Sequence, residues 1–231
     1  MNLQQRSYTK ELLDNDSIPF EDIKRNMEEL NFINTWLGGH QITISGLQQL
    51  TRNLKEISVC EIGCGGGDNL TAIVKWCNKK NIAVQCTGID IKEECISFAQ
   101  QNNFLKGCTH WITNDYKKVQ FQQKPAIIFS SLFCHHFTEA ELAEQLQWMK
   151  ENCTTGFFIN DLQRNSIAYY SIGMLTKIFS KSYLVKNDAP LSVARGFHKN
   201  EWLKIFSLAG IHHFSVKWKW AFRYLITYKN I

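Results

Sequence analysis

The residues best suited to chemistry are a glycine cluster that directly follows a short apolar stretch. Ile57–Ile62 is typical of a buried strand, and Glu61 lies near its end. Three glycines at alternate positions come next: Gly63, Gly65 and Gly67. Apolar residues at helical spacing follow, so the glycines occupy a strand-to-helix turn. Because a ligand can approach bare backbone and unpaired amides at such a turn, the pattern predicts a nucleotide-binding loop.

Two further carboxylates follow the next two predicted strands. Ala83–Ile89 ends in Asp90, and Thr109–Asn114 ends in Asp115. A carboxylate after the second strand can accept hydrogen bonds from ribose hydroxyls. Each acidic residue alone could instead cap a turn or a helix. Together, at three successive strand ends, they predict a ligand site at the carboxyl edge of a parallel sheet.

The order of these motifs resembles that of the class I S-adenosylmethionine-dependent methyltransferases. The likeness lies in the pattern Glu-x-Gly-x-Gly-x-Gly that begins at Glu61, followed by Asp90 and Asp115. It implies S-adenosyl-L-methionine as the cofactor, with its methionine part over the glycine turn and its ammonium group near Glu61. It also implies that Asp90 holds the ribose and that Asp115 accepts from the adenine amine. The other cofactor-binding residues that we expect are Ile91, Tyr116 and Ser131.

The order of predicted elements defines the fold class. Strands and helices alternate from residue 56 onward, which favours an α/β fold with a parallel sheet covered on both faces. Two final strands, at about 211–217 and 221–228, predict an antiparallel hairpin. We therefore expect a Rossmann-like, doubly wound, mostly parallel seven-stranded sheet with an antiparallel C-terminal edge hairpin.

The expected domain organisation is a helical appendage followed by a core. Residues 1–55 are predicted to be an N-terminal helical appendage that covers cofactor or substrate, and residues 56–231 to be the methyltransferase core. A substrate-lid insertion is expected at about 163–197, with a helix at Asn165–Ser180 and a loop at Ser182–Ala194 that contains Pro190.

Composition limits the other possibilities. The chain has 231 residues, 44% of them hydrophobic, and a formal net charge of +5 without a block of like charge. These values favour a soluble, cytoplasmic protein with no stable membrane insertion and no nucleic-acid partner, and leave the oligomeric state open. Its eight cysteines contain no C-x-x-C pair and are expected to be reduced core residues.

The loop after the fourth predicted strand carries the candidate catalytic residues, His135 and His136. Histidine can accept the proton of a phenolic acceptor, because its pKa lies near neutrality. The same pair could instead serve packing, and of the two we favour His136. Adjacent residues do not easily converge on one ion, so we expect no metal.

The acceptor is expected to be a small molecule. The Asn/Asp-Pro-Pro-aromatic motif of amine-modifying nucleic-acid methyltransferases is missing from this loop, and so is a Pro-Cys nucleophile. The resemblance to bacterial small-molecule methyltransferases implies O-methylation of an aromatic or polyketide-like compound. The candidate substrate-binding residues are Phe133, Arg164, Tyr169, Tyr170 and Arg195.

Two alternatives stay open at this stage. An NAD(P)-dependent oxidoreductase would share the glycine turn and Asp90, although Asp68 stands where its third glycine belongs and no Tyr-x-x-x-Lys motif is evident. A non-catalytic methyltransferase homologue that only binds cofactor would keep the same motifs.

Overall fold

The computed structural model describes residues 2–15, 17–51 and 54–230. Segments rich in β-branched and aromatic residues, most of them buried, form its central sheet. The strands are β1 (Glu56–Ile62), β2 (Ala83–Asp90), β3 (Thr109–Thr113), β4 (Ile127–Ser131), β5 (Gly156–Leu162), β6 (Phe214–Lys219) and β7 (Arg223–Lys229). Their order is β3-β2-β1-β4-β5-β7-β6, with β1 to β5 parallel and β7 antiparallel to both neighbours. The expected fold class is confirmed, and β6 is the edge strand.

Helices cover both faces of this sheet. They are α1 (Phe20–Trp36), α2 (Gly39–Leu50), α3 (Asp68–Lys79), α4 (Glu93–Ala99), α5 (Glu139–Asn152), α6 (Ser166–Phe179), α7 (Tyr183–Arg195) and α8 (Lys199–Leu208). Neighbouring strand residues feed opposite cores, because side chains alternate along a strand. Phe157 packs into the core under α5 and α8, whereas Phe158 packs into the core that α2 and α3 cover. None of the helices in the described ranges is long and apolar enough to cross a membrane.

The second half of the expected lid differs from the prediction. We expected a loop around Pro190, but Tyr183–Arg195 is a helix. Its Ser182 cap accepts a hydrogen bond from the Val185 amide, and Leu184 and Val193 are buried. Burial of this face outweighs the backbone hydrogen bond that proline removes, so Pro190 is tolerated inside the helix.

The N-terminal segment contributes to the core as well as to the surface. α2 buries Ile42, Leu47 and Leu50 against the sheet. Residues 2–15 run across the carboxyl edge of the sheet, where a 3₁₀ turn at Leu12–Asp14 is held by Asp188 of α7. The two Asp188 oxygens accept from the amides of Leu12 and Leu13 at 2.8 and 3.0 Å. This contact brings Glu11 and Asp14 to the site described next.

Candidate functional site

The glycine turn between β1 and α3 leaves its backbone accessible. Gly63 has φ +65°, and a Cβ there would lie 2.2 Å from the Phe133 ring, so only glycine permits this close approach. Gly65 has φ +50°, and a Cβ there would meet no atom within 4 Å among the described residues. Its open side belongs to the wall of a cavity of about 1160 Å³. Gly67 lies outside that wall and packs instead near Trp111, which a Cβ would approach to 2.8 Å.

Glu61 projects into the floor of this cavity with one oxygen unpaired. The side chain is 1% exposed, and its Oε1 accepts a hydrogen bond from Asn69 Nδ2 at 3.1 Å. Asn69 is itself fixed by the Thr43 hydroxyl at 2.8 Å. The buried Oε2 has no hydrogen-bond partner in the described part of the chain. Burial, and then the charges of Asp68 and Asp90, raises the pKa of Glu61 well above its usual range.

Asp90 ties the glycine turn to the end of β2. Its Oδ2 accepts from the Gly65 amide at 2.8 Å, and its Oδ1 accepts from the Lys92 amide at 3.0 Å. Burial raises the pKa of Asp90, and these amide hydrogen bonds oppose the rise. The carboxylate therefore shapes the turn, and each oxygen has acceptor capacity left for a ligand hydroxyl.

The third strand end forms the far side of the cavity. Asp115 caps the short turn after β3 by accepting from the Lys117 amide at 3.0 Å. Tyr116 is buried in a T-shaped contact with Phe133, whereas Ile91 is 73% exposed at the cavity rim. Ser131 Oγ, at the end of β4, accepts from Asn160 Nδ2 at 3.1 Å. All of these except Asn160 line the cavity.

The N-terminal helices supply two further polar residues of the cavity wall, Asn34 and His40. His40 Nε2 lies 2.8 Å from Asp68 Oδ2, and Asn34 Nδ2 donates to the same oxygen at 3.2 Å. Burial would raise the pKa of Asp68, but the contacts with His40 and Asn34 outweigh it and lower the pKa. All three residues line the cavity. Their sequence separation is the reason that no local motif marks them.

The structure separates the two candidate catalytic histidines. His136 is partly exposed and lines the cavity, whereas His135 is buried behind it. His135 Nδ1 lies 2.8 Å from Asp161 Oδ1, and its Nε2 lies 3.5 Å from Glu11 Oε1. Burial alone would lower the pKa of His135, but the charge of Asp161 and the contacts with Asp161 and Glu11 raise it to about 9. The buried position favours the packing alternative for His135.

His136 faces two carboxylates of the N-terminal segment. Its Nδ1 lies 3.1 Å from Asp14 Oδ1, and its Nε2 lies 3.8 Å from Glu11 Oε2. Asp161 holds the backbone of the same loop, because its Oδ2 accepts from the amides of Phe133 and Cys134 at 3.2 and 2.7 Å. β5 runs through Asp161 to Leu162, so Asp161 is fixed by the sheet.

Two of the candidate substrate residues are engaged in holding the fold together. Arg164 is 1% exposed, and it donates to Glu201 at 2.8 and 3.1 Å and to the Gly196 carbonyl. Arg195 is buried and donates to the carbonyls of His135 and His136. Neither arginine lines the cavity, because the carbonyls and carboxylates that they satisfy lie behind its wall.

The remaining substrate candidates are divided between the cavity and the surface. Phe133 lines the cavity, together with Phe137. Tyr169 and Tyr170 lie on α6, outside the cavity lining, with Tyr170 65% exposed. Phe133 and Phe137 of the loop after β4 thus contribute to the aromatic wall of the site, whereas α6 exposes Tyr170 and leaves Tyr169 half-buried.

All eight cysteines are free, and seven of them are buried, as the sequence predicts. Burial raises the pKa of Cys134, which lies beside Ser130 and Gln145 below the histidine loop. It serves as an apolar core residue.

Comparison with known proteins relates this chain to methyltransferases. Residues 59–156 match the family model described as a methyltransferase domain. No curated protein sequence matches the chain. Among solved structures, a putative O-methyltransferase from Nostoc punctiforme PCC 73102 has 16% identity and a TM-score of 0.59, over 87% of this chain and 59% of that one. The chain thus spans less than two thirds of that protein.

Two other similar structures hold S-adenosylhomocysteine (SAH). The plantazolicin methyltransferase BpumL has 22% identity and a TM-score of 0.62, over 88% of this chain and 74% of that one. Magnesium protoporphyrin IX methyltransferase from Synechocystis PCC 6803 has 14% identity and a TM-score of 0.52, over 94% and 90% of the two chains. These likenesses show the shared fold. The match over residues 59–156 shows a methyltransferase domain in this chain, and the sheet order and the glycine turn fit the class I S-adenosylmethionine-dependent fold.

Proposed function

We propose that the chain transfers the methyl group of S-adenosyl-L-methionine to a small aromatic acceptor by in-line displacement, with a hydroxyl oxygen as the methylated atom. The observation that carries the proposal is the unpaired Glu61 Oε2 in the cavity floor. An unsatisfied buried carboxylate oxygen is costly, and the ammonium group of a methionine tail would satisfy it. The bare backbone at Gly65 lies beside it and leaves room for that tail.

The other two strand-end carboxylates fit the rest of the cofactor. Asp90 already accepts two amides and keeps lone pairs for two ribose hydroxyls. Asp115 accepts one amide, from Lys117, and would accept from the adenine amine with its second oxygen. Ile91 at the rim and Tyr116 on the far side would enclose the adenine ring. Ser131 lies at the end of β4, between this region and the histidine loop.

The residues of this chain then need only align the reactants and exclude water. The bound cofactor supplies a methyl group on a sulfonium, which is already a good leaving group. Orientation alone supplies several kcal/mol when the attacking atom is held in line. The Gly63 turn and the Phe133 ring packed against it would hold the acceptor in this alignment.

The shape and chemistry of the cavity favour a flat acceptor. Phe133, Phe137 and Tyr116 form an aromatic cluster on its wall, and such walls stack well against planar rings. His136 stands next to this cluster, with ring centroids 6.5 Å from Phe133. We place the acceptor hydroxyl at this end of the cavity, beside His136. The descriptions of an O-methyltransferase and a porphyrin methyltransferase among the similar structures support an aromatic acceptor.

A transfer assay tests this function. The protein is incubated with S-adenosyl-L-methionine and a panel of phenols, quinols and polyketide-like acids, and the products are analysed by mass spectrometry for one added methyl group. We expect methylation of at least one phenolic compound, and none with the Glu61→Gln variant. Tight SAH binding without methylation of any panel member would favour a non-catalytic homologue. Binding of NAD in place of SAH would favour an oxidoreductase.

A further inference from the structure

We infer that Glu11, His135 and His136 form a binding site for one divalent transition-metal ion, with Zn²⁺ as the best match. Their ligand atoms all lie within 4.8 Å of one another. Neighbouring histidines do not easily converge on one ion, but the short 3₁₀ turn at Cys134–His136 brings these two rings together. The two rings lie 4.4 Å apart at an interplanar angle of 33°, and both present Nε2 to the carboxylate of Glu11.

The distances fit the coordination chemistry. The two Glu11 oxygens lie 3.5 and 3.8 Å from the His135 and His136 Nε2 atoms, respectively. Ligands at about 2.0–2.2 Å from a tetrahedral zinc ion are separated by about 3.4 Å. Small side-chain shifts would therefore bring the three groups onto one ion. Two histidines and one glutamate are a known zinc ligand set, and an open fourth position is characteristic of catalytic zinc sites.

The surroundings of the two rings provide the second observation. Histidines that bind metals usually direct their other nitrogen to a carboxylate, which fixes the ring and its tautomer. Both rings do this: the Nδ1 atoms of His135 and His136 lie 2.8 Å from Asp161 and 3.1 Å from Asp14, respectively. A simple ion-pair network has no need for two imidazoles oriented alike toward one shared carboxylate.

The position of the site gives the ion access to solvent. Asp14 and His136 line the cavity, so an ion held by His136 would lie at the cavity wall. Arg195 Nη1 lies 3.9 Å from Glu11 Oε1 and opposes a cation, but it also donates to Asp14 at 3.2 Å. Three carboxylates, those of Glu11, Asp14 and Asp161, surround the two histidines and offset that charge.

Metal titration of the untagged, chelator-treated protein tests the site. We expect one Zn²⁺ per chain by elemental analysis, and Co²⁺ should give the visible absorption bands of a nitrogen- and oxygen-ligated ion. Glu11→Gln and His136→Gln should each abolish the bands or weaken binding at least tenfold, and Asp14→Asn should weaken it about 10- to 100-fold. Circular dichroism establishes that each variant is folded, and the partly exposed His136 tolerates substitution better than a buried residue.

The chain offers a matched control. His212 and His213 are a second adjacent pair, both exposed and far along the sequence from the cluster. The His212→Gln/His213→Gln double variant should keep the full stoichiometry and spectrum. Loss of binding in this control, or unchanged binding in both Glu11→Gln and His136→Gln, would overturn the proposal. A wild-type protein that holds no stoichiometric ion would also overturn it, and would show the cluster to be an ion-pair network.

Discussion

Glu61 Oε1 accepts a hydrogen bond from Asn69 Nδ2 at 3.1 Å, while the second oxygen of the same carboxylate is buried without a partner in the described residues. Asn69 thus orients Glu61 in the cavity wall and leaves Oε2 without a partner. Ionisation of a carboxyl group held in this way is unfavourable in the ligand-free fold, in line with its raised pKa, and becomes favourable only when a cation arrives. Glu61 is therefore a binding group, and interactions elsewhere in the fold offset the unfavourable burial of its unpaired oxygen.

Glu61→Gln keeps the size of the side chain and removes the buried group that can ionise. We expect the free energy of unfolding of the ligand-free protein to stay the same or rise, while affinity for SAH falls at least tenfold, about 1.4 kcal/mol or more. Chemical denaturation and calorimetry measure the two quantities. A variant that is less stable but binds as well as wild type would show that Glu61 only supports the fold.

Asp90 combines a structural contact with an expected ligand contact. Asp90→Ala removes both the ribose acceptor and the carboxylate that holds the Gly65 and Lys92 amides. We expect SAH affinity to fall by more than tenfold in a chain that still folds, as calorimetry and circular dichroism would show. Unchanged affinity would contradict the assignment of Asp90 to the ribose.

A methyl group at Gly63 should damage the turn by steric clash. Gly63→Ala would place a Cβ 2.2 Å from Phe133 on a residue with φ +65°. Gly107→Ala is the control, because Gly107 has φ +79° with no described atom within 4 Å of a Cβ. Backbone strain alone costs about 1–2 kcal/mol, so the control should lose that much stability and Gly63→Ala should lose more. Equal losses of stability in the two variants, measured by thermal denaturation, would show that the Phe133 ring moves aside at little energetic cost.

His136 is expected to matter for transfer and not for cofactor binding. His136→Gln should lower the turnover number about 10²-fold with a phenolic acceptor, the cost expected of a misplaced acceptor. The affinity for SAH should be unchanged, because the carboxylates at the ends of β1, β2 and β3 are intact. A variant with full turnover would remove His136 from the transfer step.

The ion pair between Glu201 and the buried Arg164 predicts a pH dependence. Burial would raise the pKa of Glu201, but the hydrogen bonds from Arg164 lower it. A lowered folded-state pKa contributes stability above the unfolded value of about 4.3 and loses it as the pH falls toward the folded value. Glu201→Gln should therefore cost about 1.5–3 kcal/mol at neutral pH, and the difference from wild type should shrink below about pH 4. A constant difference in denaturation midpoints across this range would contradict the ion pair.

Local sequence patterns were sufficient to predict the three strand-end carboxylates of the site. The carboxyl ends of β1, β2 and β3 carry Glu61, Asp90 and Asp115 because strand length and turn chemistry are encoded within a few residues. The same reasoning predicts a helix from Lys92 to Phe104, whereas α4 ends at Ala99. Asn102 explains the difference, since its side chain bonds to Thr71 and to the Phe104 amide and so competes with helix continuation.

Contacts between distant segments were beyond such patterns. Glu11 and His135 lie more than a hundred residues apart in sequence, yet their side chains meet at 3.5 Å. The two arginines illustrate the same limit, because a charged residue in a predicted lid gives no sign that it will bury itself among backbone carbonyls. Only the tertiary structure shows whether an arginine is available to bind substrate or stabilises the fold.

Isothermal titration of the wild-type protein with SAH measures whether the strand-end carboxylates form a cofactor site. We expect saturable binding at one site per chain, with lower affinity in the Glu61→Gln and Asp90→Ala variants and no comparable heat from NAD. Absence of SAH binding by a folded wild-type chain, or binding that neither variant weakens, would contradict this expectation.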